Sequence, residues 1–186
     1  MSWKNTENSW GLISILIHWM SAVVIIALFG LGLWMVELTY YDNWYTKAPN
    51  IHKSIGILLF LLTLFRLIWR TLNKKPLSLS NHTDVEKRLA TLVHWVLYIL
   101  LFLIMFSGYL ISTADGRAIA VFAWFEIPAV IYGYEKQEDI AGVVHFYLAC
   151  TLIGFALLHA LGAIKHHFID KDITLTRMFK SYGDGS

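Results

Sequence analysis

Residues 11–36 (GLISILIHWMSAVVIIALFGLGLWMV), 89–113 (LATLVHWVLYILLFLIMFSGYLIST) and 140–164 contain no Asp, Glu, Lys or Arg. A helix that crosses a bilayer needs about 20 mostly apolar residues, and each run exceeds that. Residues 51–69 (IHKSIGILLFLLTLFRLIW) form a fourth run, with Lys53 and Arg66 near its two ends, where long cationic side chains can reach the interface. The pattern predicts four membrane helices, at approximately 11–36, 51–70, 89–113 and 140–165. The fold class is therefore all-α, an integral membrane four-helix bundle in a single domain spanning residues 1–186. The stretch KKPLSLSN reads as a turn in the loop between helices two and three. The segment 114–138, with WFEIPAVIYGY, is long for a connection, and its apolar content predicts an interfacial helix or a re-entrant cover. The first apolar run is too long for a signal-peptide core, and bulky Leu33-Trp34-Met35-Val36 precede Glu37, so it is read as retained.

Composition agrees, with 57% hydrophobic and 15% charged residues. A net charge of +2 offers no footing for nucleic acid. The distribution of charge says more than its sum. If both ends lie inside, the inner segments hold Lys4, Arg66, Arg70, Lys74, Lys75, Lys87, Arg88, Lys165, Lys171, Arg177 and Lys180. The outer segments hold only Lys47, Lys53, Arg117 and Lys136. The positive-inside rule then puts both termini, and the tail at 166–186, in the cytoplasm. Cys150 is the single cysteine, so a disulfide, an iron–sulfur cluster or a thioether-linked haem is excluded within the chain.

Polar groups at membrane depth are expensive and point to function. His18, His52, His94, His145 and His159 lie in or at the ends of the predicted helices. His145 and His159 are fourteen residues apart, just under four turns, so they share a helix face about 21 Å apart along the axis. They cannot ligate one ion, but each can serve a different cofactor. His159 lies about 9 Å from the inner end of its helix and His18 about 12 Å from the same side; His145 lies about 9 Å from the outer end. His52 opens the helix that descends from that outer side. Four imidazoles paired at two depths match two bis-histidine haems b, with Gly30, Gly32, Gly56, Gly142, Gly154 and Gly162 able to provide room or simple helix packing. His94 lies at the inner level, where spacing leaves it open as a ligand in place of His18. A hydrogen bond to a haem propionate, a carbonyl or a quinone is the expectation for it. His166 and His167 are expected in a solvated basic tail, without a metal site.

The motifs ILIHW (15–19), IHKSIGI (51–57), LVHWVLY (92–98), His145 and His159 in H-x13-H, and HHFIDKDITLTRM (166–178) together resemble the bacterial cytochrome b561 family. That family is related to the cytochrome b subunits of nickel hydrogenases and formate dehydrogenase. The resemblance implies axial ligation of an inner haem iron by His18 and His159 and of an outer one by His52 and His145. It also implies an inner-membrane protein passing electrons from a periplasmic-side donor, such as a redox partner protein, to ubiquinone. Some members oxidise superoxide, which makes superoxide a candidate donor. The outer segments set four basic residues against seven acidic ones (Glu37, Asp42, Asp115, Glu126, Glu135, Glu138, Asp139), so no cationic funnel for an anion is evident. Two other readings carry different expectations. A cytochrome b anchor of a larger membrane dehydrogenase would co-purify with its partner, and a haem-free histidine-based proton or metal transporter would be colourless.

Overall fold

The computed structural model describes residues 2–79 and 82–180. Four long helices carry the chain: α1 (Leu12–Met35), α2 (Lys47–Leu72), α3 (Asp84–Thr113) and α4 (Gln137–Phe168). A two-stranded hairpin, β1 (Ile119–Val121) and β2 (Phe125–Ile127), lies between α3 and α4, and a 3-10 turn (Thr176–Met178) follows α4. All four helices are long and apolar enough to span a bilayer. Only 11 to 17% of their most apolar windows is buried within the protein, so side chains such as Val23, Ile26, Phe65, Leu103 and Leu157 need lipid around them.

The helices are longer than the apolar runs alone predict, for local reasons. α2 begins at Lys47 because Pro49 falls in its first turn, where the missing N–H costs nothing. His52 consequently stands inside this helix rather than at its start. α3 begins at Asp84, not at residue 89, because Thr83 and Glu86 form a capping box. The Thr83 N–H and hydroxyl both donate to Glu86 Oε2 at 2.9 Å, and the Glu86 N–H reaches Thr83 Oγ1 at 3.3 Å. α4 starts at Gln137, whose side-chain amide donates to the Leu110 and Ile131 carbonyls at 2.9 and 3.2 Å. It runs on to Phe168, so His166 and His167 are helical and half-buried, not part of a solvated tail.

The segment 114–138 is not an interfacial helix. Phe122 at φ 49° and the glycines at 116 and 133, both at φ 80°, break helical geometry, and Pro128 follows the second strand. Ile119 pairs with Ile127 and Val121 with Phe125. Ser54 of α2 pins the turn, accepting the Phe122 N–H at 3.0 Å and donating to the Ala120 carbonyl at 3.4 Å, while Val121 is wholly buried.

The chain packs as two compact units, each drawing on all four helices. One comprises 1–22, 62–98 and 154–186, and the other 23–61 and 99–153. In the first unit the two terminal segments and the loop after α2 are tied by polar bonds. Arg177, nearly buried, donates to the Asn8 and Leu77 carbonyls at 2.7 and 3.2 Å. Its desolvation there lowers its pKa, and Asp172 opposes that shift. Trp19 stacks on Phe179 with ring centres 4.8 Å apart and donates its indole N–H to the Met178 carbonyl at 2.7 Å.

Two histidine sites in a membrane cytochrome

In the second unit, α2 and α4 bring His52 and His145 together, with ring centres 6.2 Å apart. α3 supplies the support. His145 Nδ1 lies 3.0 Å from the Ile104 carbonyl and 3.1 Å from Ser107 Oγ. A carbonyl only accepts, so Nδ1 carries the proton and Nε2 keeps its lone pair, the tautomer that an axial ligand needs. Both rings rest against glycine. A Cβ on Gly108 would come within 3.2 Å of His145 Cε1, and one on Gly32 within 3.4 Å of His52 Cε1. His52 Nδ1 is buried without a hydrogen-bond partner.

The first unit collects three imidazoles. His18 of α1 and His159 of α4 have ring centres 6.2 Å apart, and His94 of α3 stands 5.0 Å from His159. His94 also hydrogen-bonds the Ala90 carbonyl one turn back in its own helix. Cations flank this group. Arg66 Nη2 lies 3.0 Å from His18 Nδ1, and the Arg66 and Arg70 guanidiniums sit 5.7 and 5.8 Å from the centre of the Tyr98 ring.

Whether these residues suit a metal between them can be tested on distance. An imidazole nitrogen ligates at about 2 Å and lies about 1 Å from its ring centre, so two rings on opposite sides of one iron have centres about 6 Å apart. The two 6.2 Å pairs meet that requirement, and the 5.0 Å pair of His94 with His159 is too close for it. One polar contact needs adjustment. An arginine can only donate, and an imidazole ligating through Nε2 carries its proton on Nδ1. Ligation by His18 therefore moves Arg66 off that nitrogen.

Gly108 and Ser107 are site residues that the sequence reading missed. Their only local signal is a small pair inside a run of large apolar residues in α3. Of the glycines proposed as room for a cofactor, Gly32 touches a site imidazole. A Cβ at Gly30, Gly56, Gly142, Gly154 or Gly162 would meet nothing within 4 Å.

The model of the family described as prokaryotic cytochrome b561 matches residues 9–181. The chain belongs to that family. It is therefore a multi-pass membrane cytochrome of a haem b, electron-transport class. Among cytochrome b561 relatives, "Cytochrome b561 homolog 2" of Escherichia coli (strain K12) is 49% identical over 185 residues, covering 99% of this chain and 98% of that one. "Probable superoxide oxidase CybB" of Yersinia pestis is 28% identical over 177 residues, covering 92% and 96%. "Cytochrome b561 homolog 1" of E. coli is 24% identical over 184 residues, covering 92% and 97%.

Proposed function

We propose that this cytochrome holds two haems b, one between His18 and His159 and one between His52 and His145, and carries single electrons across the bacterial inner membrane to ubiquinone. The observation that carries the reading is the repeated 6.2 Å imidazole pair in two separate units of one membrane chain. Haem b, held by these imidazoles, would supply one-electron exchange. The rest is the work of the chain. His145 is locked in its ligating tautomer by the Ile104 carbonyl, a bond that makes the imidazole more basic and favours the oxidised state of what it holds. Arg66 puts positive charge beside His18 of the other pair, which would favour the state carrying the extra electron. Both effects would give the His18–His159 pair the higher potential of the two. Arg66, beside His18, would be available to a carboxylate of the bound group.

The balance of basic residues puts both termini, and so the His18–His159 pair, on the cytoplasmic side. The electron donor then acts from the periplasmic side. Superoxide is the candidate donor by similarity to the Yersinia protein, and ubiquinone reduction is assigned near His159 and His94. Arg117 is paired with Asp115, so it does not stand as a lone cation to draw in an anion.

The test is a reduced-minus-oxidised visible spectrum of detergent-purified protein, with haem counted per chain. Two low-spin b haems are expected, falling to one in His52→Ala and to one, with different bands, in His18→Ala. A colourless protein, or a spectrum indifferent to both substitutions, contradicts the assignment.

A further inference from the structure

The first unit holds a second cluster of imidazoles and a carboxylate that the haem reading does not use. His82 precedes α3, and His166 lies near the end of α4; their ring centres are 4.3 Å apart at 32°. Asp172, beyond α4, brings Oδ2 to 2.8 Å from His82 Nε2 and 3.7 Å from His166 Nδ1. The ligand atoms of all three lie within 4.8 Å of one another. Their side chains are only 15%, 17% and 6% exposed, unlike an ordinary surface ion pair.

The backbone builds this arrangement. After Phe168 the chain folds back on the helix end. The Ile169 and Asp170 N–H groups donate to the Lys165 carbonyl, and the Asp172 N–H donates to the His166 carbonyl at 3.0 Å. The left-handed residue Lys171, at φ 56°, makes the bend. Asp172 Oδ1 accepts the Thr174 N–H at 2.8 Å, which turns the other oxygen toward the imidazoles. A carboxylate oriented by one oxygen and presenting the other is a common form for a metal ligand. His166 Nδ1 is buried, with Asp170 Oδ2 2.7 Å away.

Charge separates this trio from a neighbouring one. Glu86, His166 and Asp170 also converge, but the Lys165 ammonium already holds Glu86 at 2.8 Å and Asp170 at 2.7 Å. Asp172 instead turns Oδ2 toward the two imidazoles, and the Arg177 guanidinium is bonded to the Leu77 and Asn8 carbonyls.

We propose that His82, His166 and Asp172 bind a divalent transition-metal ion of the zinc class, which staples the loop before α3 to the segment after α4. Two ligands about 2.0–2.1 Å from a tetrahedral ion stand about 3.3 Å apart, and the observed 2.8 and 3.7 Å separations bracket that value. Two imidazoles and one carboxylate suit zinc and its first-row neighbours rather than calcium or magnesium, which take oxygen ligands. The proton shared by His82 and Asp172 is what the ion displaces. The site stands independently of the haem assignment.

The test uses the full-length, haem-loaded protein in detergent, stripped with a chelator, titrated with Zn²⁺ by calorimetry, and assayed for retained metal after gel filtration. One retained zinc per chain is expected. His82→Gln and Asp172→Asn each weaken binding by roughly 100-fold or more, beyond what loss of a supporting hydrogen bond costs. His167→Gln leaves it unchanged. The visible haem spectrum reports whether each variant keeps its fold; if one does not, the other carries the test. Failure of the unaltered protein to retain zinc, or retention that survives both ligand substitutions, overturns the site.

Discussion

The two histidine sites share one separation and differ in almost everything around it. His52 and His145 sit among glycine, a serine hydroxyl and a main-chain carbonyl. His18 and His159 sit beside a third imidazole, and the Arg66 guanidinium stands 3.0 Å from His18 Nδ1. One fold thus offers two imidazole pairs of the same ring separation in different electrostatic fields. Geometry decides what each pair can hold, and the surroundings decide how readily it accepts an electron. On the proposed two-haem reading, two equal sites would give electrons no preferred direction, and the Arg66 guanidinium beside His18 would supply one.

The sharpest way to break the comparison is at the third imidazole. His159→Ala is expected to remove one haem per chain. His94→Ala should leave both, because His94 stands too close to His159 to share an iron with it across the ring plane. Haem counting on the two variants decides this, and equal losses would return His94 to the ligand set. The next largest effect is electrostatic. Arg66→Gln should lower the potential of the higher-potential haem by tens of millivolts, since about 59 mV corresponds to a tenfold change for one electron. The lower potential should hardly move. A fall in both by the same amount would mean that Arg66 does not distinguish the sites.

A smaller effect is expected at Gly108→Ala. Its new Cβ meets His145 Cε1 at 3.2 Å, and crowding of this kind costs about 1–3 kcal/mol. It should broaden or shift the bands of the haem at His52–His145 while the other set stays unchanged. Gly30→Ala, where nothing lies within 4 Å, is its control. The smallest effect concerns the fold beyond α4. The Asp170 carboxyl is held below its ordinary 3.8, first by the Lys165 ammonium and then by His166. A lowered carboxylate pKa stabilises the folded state above the unfolded value and loses that contribution as pH falls through the folded one. Protection of the amides of residues 169–173, taken as hydrogen exchange relative to the intrinsic rate at each pH, should therefore hold at neutral pH and fall below about pH 4. Protection that is constant across that range would contradict the clasp.

Much of the fold was legible because lipid imposes a simple rule. Four uncharged or nearly uncharged runs can only be satisfied as spanning helices. The ends of those helices were less legible, since they depend on particular caps. Pro49 is admitted by a first turn, Thr83 and Glu86 close a box, and Gln137 reaches carbonyls of another segment. The hairpin at 119–127 escaped notice because its apolar strands and its Phe122 turn are pinned by Ser54, sixty-six or more residues away. At the sites, the imidazoles announced themselves by their cost in a membrane. Ser107 and Gly108 could not, because their meaning lies in a contact with another helix. The cluster at His82, His166 and Asp172 was hidden for the same reason, its members being far apart in the chain and joined only when the segment after Phe168 folds back.

The measurement that bears most directly on the two-site account is a potentiometric titration of the purified protein followed in the visible bands. Two separate one-electron waves are expected, with the lower wave lost in His52→Ala and the upper one retained. A single wave in the unaltered protein, or loss of the upper wave on that substitution, would contradict it.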